Sequence, residues 1–136
     1  MALSTQDALI YLMVIAASSD ARITDGELES IGNLVSRLPV FEGFERSRLG
    51  QVAAEAIDLI KDSSSLDKVL EMVFAAVPER LHDTAYALSV EVATVDLRLE
   101  QEELEFLQMI RDHLQLDRLI SGAIEASARV RLRRLQ

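Results

Sequence analysis

Asp20-Ala21-Arg22-Ile23-Thr24-Asp25-Gly26-Glu27 joins two apolar, helix-patterned segments, and Asp96-Leu97-Arg98-Leu99-Glu100-Gln101-Glu102-Glu103 stands in the same place 76 positions later. In each copy an Asp is followed by Ile or Leu at the third position and by Glu at the seventh. The same offset pairs Asp7 with Asp83, Leu12 with Leu88, Val14 with Val90, Ala17 with Ala93, Leu28 with Leu104 and Leu38 with Leu114. Ile23, Ile31 and Leu34 meet the apolar Leu99, Leu107 and Ile110. Helices rich in Leu and Glu match by chance at some positions. Agreement in the loops as well points to a duplicated helix–loop–helix, with halves at 5–38 and 81–114.

The segments around these loops carry helix punctuation. Ser4-Thr5-Gln6-Asp7 has the form of a capping box, and the apolar run behind it predicts a helix to about Ser18. Thr24-Asp25-Gly26-Glu27 is a second capping box, and Leu28, Ile31, Leu34, Val35 and Leu38 follow at helical spacing until Pro39. Val40 to Phe44 reads as a loop pinned by two aromatics. Further helices are expected from about Glu45 to Lys61 and from a Ser65 cap to Val77. The next runs from Glu79 to about Thr94 with Pro78 in its first turn, then come Glu102 to Leu114, and Asp117 to the terminus. About seven helices and no strand pattern predict a single all-α domain.

Composition agrees. The 136 residues are 49% hydrophobic and hold two prolines and five glycines, which suits one folded helical core. A net charge of −9 argues against a nucleic-acid partner, which would need a basic face. With no cysteine, disulfides, thiolate metal sites and thiol chemistry are excluded. The run Leu9 to Ala17 could pass for a signal-peptide core. However, the first basic residue is Arg22, and the run has a counterpart in mid-chain, so a buried helix of a cytoplasmic protein is expected.

Asp20 and Asp96 follow helix C-termini, where the macrodipole disfavours a carboxylate. Two hairpins related by pseudo-symmetry would bring Asp20, Glu27, Asp96 and Glu103 around one point. Oxygen ligands of this kind select hard divalent cations such as Ca²⁺, Mg²⁺ or Mn²⁺. The loop is not an EF-hand, because Arg22, Thr24 and Ile31 fall where that motif needs acidic or oxygen ligands. A purely structural use stands beside the metal reading. Glu27 completes the Thr24 capping box, Glu103 suits a helix N-terminus, and the aspartates can bond loop amides or pair with Arg22 and Arg98.

These two loops resemble those of the TerB-like family of tellurite-resistance proteins, over about Thr5 to Leu114. The family is all-helical and duplicated, each half carrying an Ala-Asp-Gly loop with a Glu seven residues after the Asp; a similar domain occurs in some membrane-tethered DnaJ co-chaperones. The resemblance implies a bacterial stress-response protein with a divalent metal at Asp20, Glu27, Asp96 and Glu103. Both loops depart from the pattern: Ser19 and Val95 replace the Ala, and Ala21 and Leu97 replace the Gly.

No enzyme signature accompanies these acids. His82 and His113 lack ligand spacing, Ser63-Ser64-Ser65 has no nucleophile-elbow context, and no glycine-rich phosphate loop, organic cofactor or small-molecule substrate is evident. Glu91 breaks an apolar helix before Asp96 and is read as surface-facing, with metal ligation as the alternative. Arg129, Arg131, Arg133 and Arg134 form the one basic cluster. It complements a helix dipole, or meets an acidic partner or the inner face of a membrane. The expectation is therefore a non-enzymatic, metal-binding interaction module with a protein partner. The alternative is a metal-independent, co-chaperone-like adaptor.

Overall fold

The computed structural model describes residues 3–17, 22–62, 66–93 and 101–135, with the backbone alone for 101–104. Seven α-helices are present among them: α1 (Thr5–Ala17), α2 (Asp25–Arg37), α3 (Leu49–Asp62), α4 (Leu66–Ala75), α5 (His82–Ala93), α6 (Gln101–Leu114) and α7 (Arg118–Arg131). Three short 3₁₀ turns lie between them, at Pro39–Phe41, Arg46–Arg48 and Glu79–Leu81. The all-α expectation holds.

α1 is the axis of the molecule. Every residue from Ala8 to Ala17 is buried, because α2, α3, α4, α5 and α6 all pack against it. A helix that is apolar all round belongs inside. Leu9, Ile10, Leu12, Met13 and Val14 are fully buried, and each such side chain contributes about 1.5–3 kcal/mol relative to exposure. α5 is the second interior helix and makes the most extensive contact with α1. It is flanked by α6 and α7, and it also touches α2. Its Ala85, Ser89 and Ala93 are small and buried at i, i+4 and i+8, and the Ser89 hydroxyl is satisfied by the Ala85 carbonyl at 2.9 Å.

The helix starts follow their caps. Ser4 Oγ accepts the Asp7 amide at 3.1 Å, and Asp117 accepts the Leu119 amide at 2.9 Å. Leu38 caps α2 and Pro39 opens the 3₁₀ turn after it, as expected. Gln6 Nε2 then donates to the carbonyls of Val40 and Glu42, which fastens this loop to the start of α1. The loop's Gly43 takes φ of +87°, a conformation open to glycine without strain.

Four boundaries differ from expectation. α4 ends at Ala75, two residues before Val77. α3 begins at Leu49, after the 3₁₀ turn Arg46–Arg48. Pro78 is not inside a helical first turn: its ψ of 148° is extended, and it caps the 3₁₀ turn that leads into α5. α7 does not reach the terminus, since its last helical residue is Arg131. The expected Ser65 cap and the Thr94 end lie outside the described residues.

Candidate functional site

Of the four acids singled out by the repeat, Glu27 has a described side chain. Asp20 and Asp96 lie outside the described residues, as does the Glu103 side chain, although α6 carries its backbone. Among the described residues no three His, Asp or Glu side chains group as a metal site.

Glu27 sits in a complete capping box. Its Oε1 accepts the Thr24 amide at 2.8 Å, while Thr24 Oγ1 accepts the Glu27 amide at 3.1 Å. Two of the orphan donors at the start of α2 are thereby satisfied. The box occupies one carboxylate oxygen, so the donor chemistry of Glu27 fits both a cap and an oxygen ligand for a hard cation.

The helix ends that precede the two acidic stretches share an electrostatic feature. Neither α1 nor α5 has a basic residue in its last turn. α4 lacks one as well, whereas α2, α3, α6 and α7 end with Arg37, Lys61, Arg111 with His113, and Arg129 with Arg131. The negative ends of the two interior dipoles thus carry no cation of their own in the last turn.

The starts of the same helices converge. Thr5 Oγ1, in the first residue of α1, donates to the Ala76 carbonyl at 2.8 Å. His82, the first residue of α5, lies 3.2 Å from the Val77 carbonyl through Nε2. The first residues of both helices are therefore tied to one turn. The hairpins are also interlocked: α2 touches α5 as well as α1, and α6 touches α1 as well as α5.

The other candidates have structural partners. His113 Nε2 is 3.3 Å from Asp67 Oδ1 and its ring lies 5.7 Å from that of Phe74, so it joins α6 to α4. Glu91 is half-buried and pairs with Arg131 at 2.8 Å, tying α5 to α7. This ion pair takes Arg131 out of the basic cluster and leaves Arg129, Arg133 and Arg134, all exposed.

A pair of tyrosine–carboxylate ties escaped the sequence reading. Tyr11 on α1 donates to Glu55 on α3 at 3.1 Å, and Tyr86 on α5 donates to Glu125 on α7 at 2.6 Å. Burial, then the Glu55 bond, pushes the Tyr11 hydroxyl up to about 12. Burial and Glu125 raise Tyr86 further. A sequence signal for this correspondence exists. Leu49, Ala53, Glu55, Ala56 and Lys61 of α3 recur as Leu119, Ala123, Glu125, Ala126 and Arg131 of α7, 70 positions on. The offset differs from 76 because the connection after Leu38 is longer than that after Leu114. The tyrosines themselves are one register apart, Ile10 rather than Tyr11 matching Tyr86.

Comparison of the chain with protein-family models, with curated proteins and with solved structures gives no match.

Proposed function

We propose that this chain is a non-enzymatic interaction module whose two acidic loops share a divalent cation, with Asp20, Glu27, Asp96 and Glu103 as its ligands. The observation that carries the reading is the tethering of the first residues of α1 and α5 to the Ala76–Val77 turn. Helices whose first residues are tied to one turn and that make extensive contact along their described lengths run toward one end together. In the sequence the acidic stretches follow Ala17 and Ala93. Support comes also from the reciprocal packing of α2 on α5 and α6 on α1, from the loop repeat, and from the resemblance to TerB-like stress-response proteins.

A hard cation supplies charge neutralisation between carboxylates and two helix C-termini that would otherwise repel. Its effect is to clamp one hairpin to the other, presenting a fixed surface to a protein partner. Thermal unfolding of the wild type and of Glu27→Gln/Glu103→Gln in Ca²⁺, Mg²⁺, Mn²⁺ or EDTA tests this. A site at a hundred times its dissociation constant stabilises by about 2.7 kcal/mol, so a clear rise in melting temperature is expected for the wild type alone. Identical melting in every cation and in EDTA overturns the metal reading.

The Glu27 capping box favours a second reading, in which the acids are caps and the chain is a metal-independent adaptor. That reading predicts partner binding unaffected by EDTA.

A further inference from the structure

The outer face of α7 is built unlike the rest of this acidic chain. Residues 118–135 contain five arginines and a single carboxylate, Glu125, whereas the whole chain has 23 acidic residues against 14 basic ones. That carboxylate is half-buried and engaged by α5 and α6. Glu125 Oε2 accepts from Tyr86 at 2.6 Å and from Arg111 at 3.0 Å, on the side packed against α5. The inner line of α7 continues through the buried Ser121 and Ala128.

The opposite line runs through Leu119, Ala123, Ala126 and Val130, spaced i, i+4, i+7 and i+11, which is one stripe of a helix. Leu119 is 77% exposed and Val130 55%. Arg118 borders the stripe at its start and Arg129 at its end, and the exposed Arg133 and Arg134 follow just beyond the helix. Among the described residues no carboxylate pairs with these four arginines. The outer line is thus apolar, with cations toward its ends and no acid on it.

We propose that this face of α7 docks on an anionic phospholipid surface, lying in the plane of the headgroups. Charge complementarity selects the occupant: guanidinium groups match phosphates in bidentate geometry, and the aliphatic stripe enters the headgroup–acyl boundary. α7 has no aromatic residue, and both base stacking and protein hot spots draw on aromatic side chains. A lipid surface needs only the cations and the apolar area that are present. The rest of the chain, being acidic, is held away from the same surface, which orients the molecule with α7 toward the lipid.

Co-sedimentation of the full chain with vesicles of phosphatidylcholine alone, and of phosphatidylcholine with phosphatidylglycerol, tests the assignment. Binding is expected only to the phosphatidylglycerol vesicles, and it weakens as salt is added. Arg129→Gln/Arg133→Gln/Arg134→Gln lowers it by roughly a hundredfold, at the usual contribution of a basic residue near such a surface. Leu119→Ser/Val130→Ser also lowers it, while circular dichroism stays unchanged because both positions face solvent. Equal binding to both vesicle types, or no loss in the arginine variant, overturns the proposal. Retention on an immobilised acidic polypeptide without vesicle binding assigns the face to a protein instead. A solution dimer dispersed by Leu119→Ser/Val130→Ser, again without vesicle binding, assigns it to a second copy of the chain.

Discussion

The Tyr86 hydroxyl, on a residue with 1% of its surface exposed, donates to Glu125 Oε2 at 2.6 Å. This bond fixes the rotation of α7 about its own axis. Arg111 of α6 donates to the same oxygen at 3.0 Å, so three helices meet at one carboxylate. A hydrogen bond to a charged group contributes about 1.5–3 kcal/mol. Tyr86→Phe should therefore lower the unfolding free energy by about 2 kcal/mol, since Arg111 still satisfies Glu125. Urea denaturation measures this, and a loss below about 0.5 kcal/mol would mean that the tie is not formed in solution.

Both tyrosines of the chain sit in such ties, which gives a pH dependence with a definite sign. Their native pKa values are raised, Tyr11 to about 12, by burial first and by the neighbouring carboxylate second. An unfolded tyrosine titrates near 10. The native chain therefore holds these protons more tightly than the unfolded one. The associated stability is whole below pH 10 and is lost as pH rises from there through about 12. Absorbance near 295 nm should show little tyrosinate while the fold persists, then a rise that coincides with loss of helical circular dichroism. A separate tyrosinate step near pH 10 in the folded chain would contradict the assignment.

Gly32 gives a test of packing between α2 and the turn before α3. A Cβ at this position would collide with the Arg46 guanidinium, which donates to Ser36 Oγ at 2.6 Å. Replacing a helical glycine by alanine otherwise stabilises by about 1 kcal/mol. Gly32→Ala should show that gain in an Arg46→Ala background and lose most of it in the wild type. The difference is the coupling read by the double-mutant cycle. Equal gains in both backgrounds would place Arg46 elsewhere.

How far the sequence carries depends on the range of the interaction. The α1 helix, the Thr24 box, the stop at Pro39 and the Asp117 cap are local events. Each is set by residues within four positions, so each was visible in the residues themselves. Pro78 was ambiguous because its φ of −58° suits both a helical first turn and a cap, and ψ, here 148°, separates the two. The Arg131–Glu91 pair spans 40 positions, and no spacing rule links two such charges. It removed one arginine from a cluster that looked uniform. For the metal site, spacing named four acids, yet convergence is a property of two loops separated by most of the fold. What the described helices add is the tethering of the first residues of α1 and α5 to one turn. The outer stripe of α7 was not singled out in the sequence, because only the burial of Ser121 and Ala128 and the exposure of Leu119 and Val130 show which face is left to solvent.

Glu27 has two candidate uses, and one pair of substitutions separates them. Glutamine can take the N3 position of a capping box, so Glu27→Gln keeps the bond to the Thr24 amide while removing the charge a cation needs. In EDTA this variant should unfold within about 0.5 kcal/mol of the wild type, the usual spread for a harmless substitution. Thr24→Ala removes the cap instead and should cost about 1 kcal/mol in EDTA. In saturating Mn²⁺ or Ca²⁺ the order reverses: Thr24→Ala retains the cation-dependent rise in melting temperature, and Glu27→Gln loses most of it. If both variants respond to the cation as the wild type does, Glu27 is a cap and no ligand. If Glu27→Gln is already destabilised in EDTA by as much as Thr24→Ala, the carboxylate acts through the α2 dipole, where negative charge at a helix N-terminus stabilises by about 0.3–1 kcal/mol. The two helix ends then differ in kind, since a dipole role for Glu27 leaves the Asp20 and Asp96 positions, which follow in sequence the helices α1 and α5 with no basic residue in their last turns, as the sites where a cation would still act.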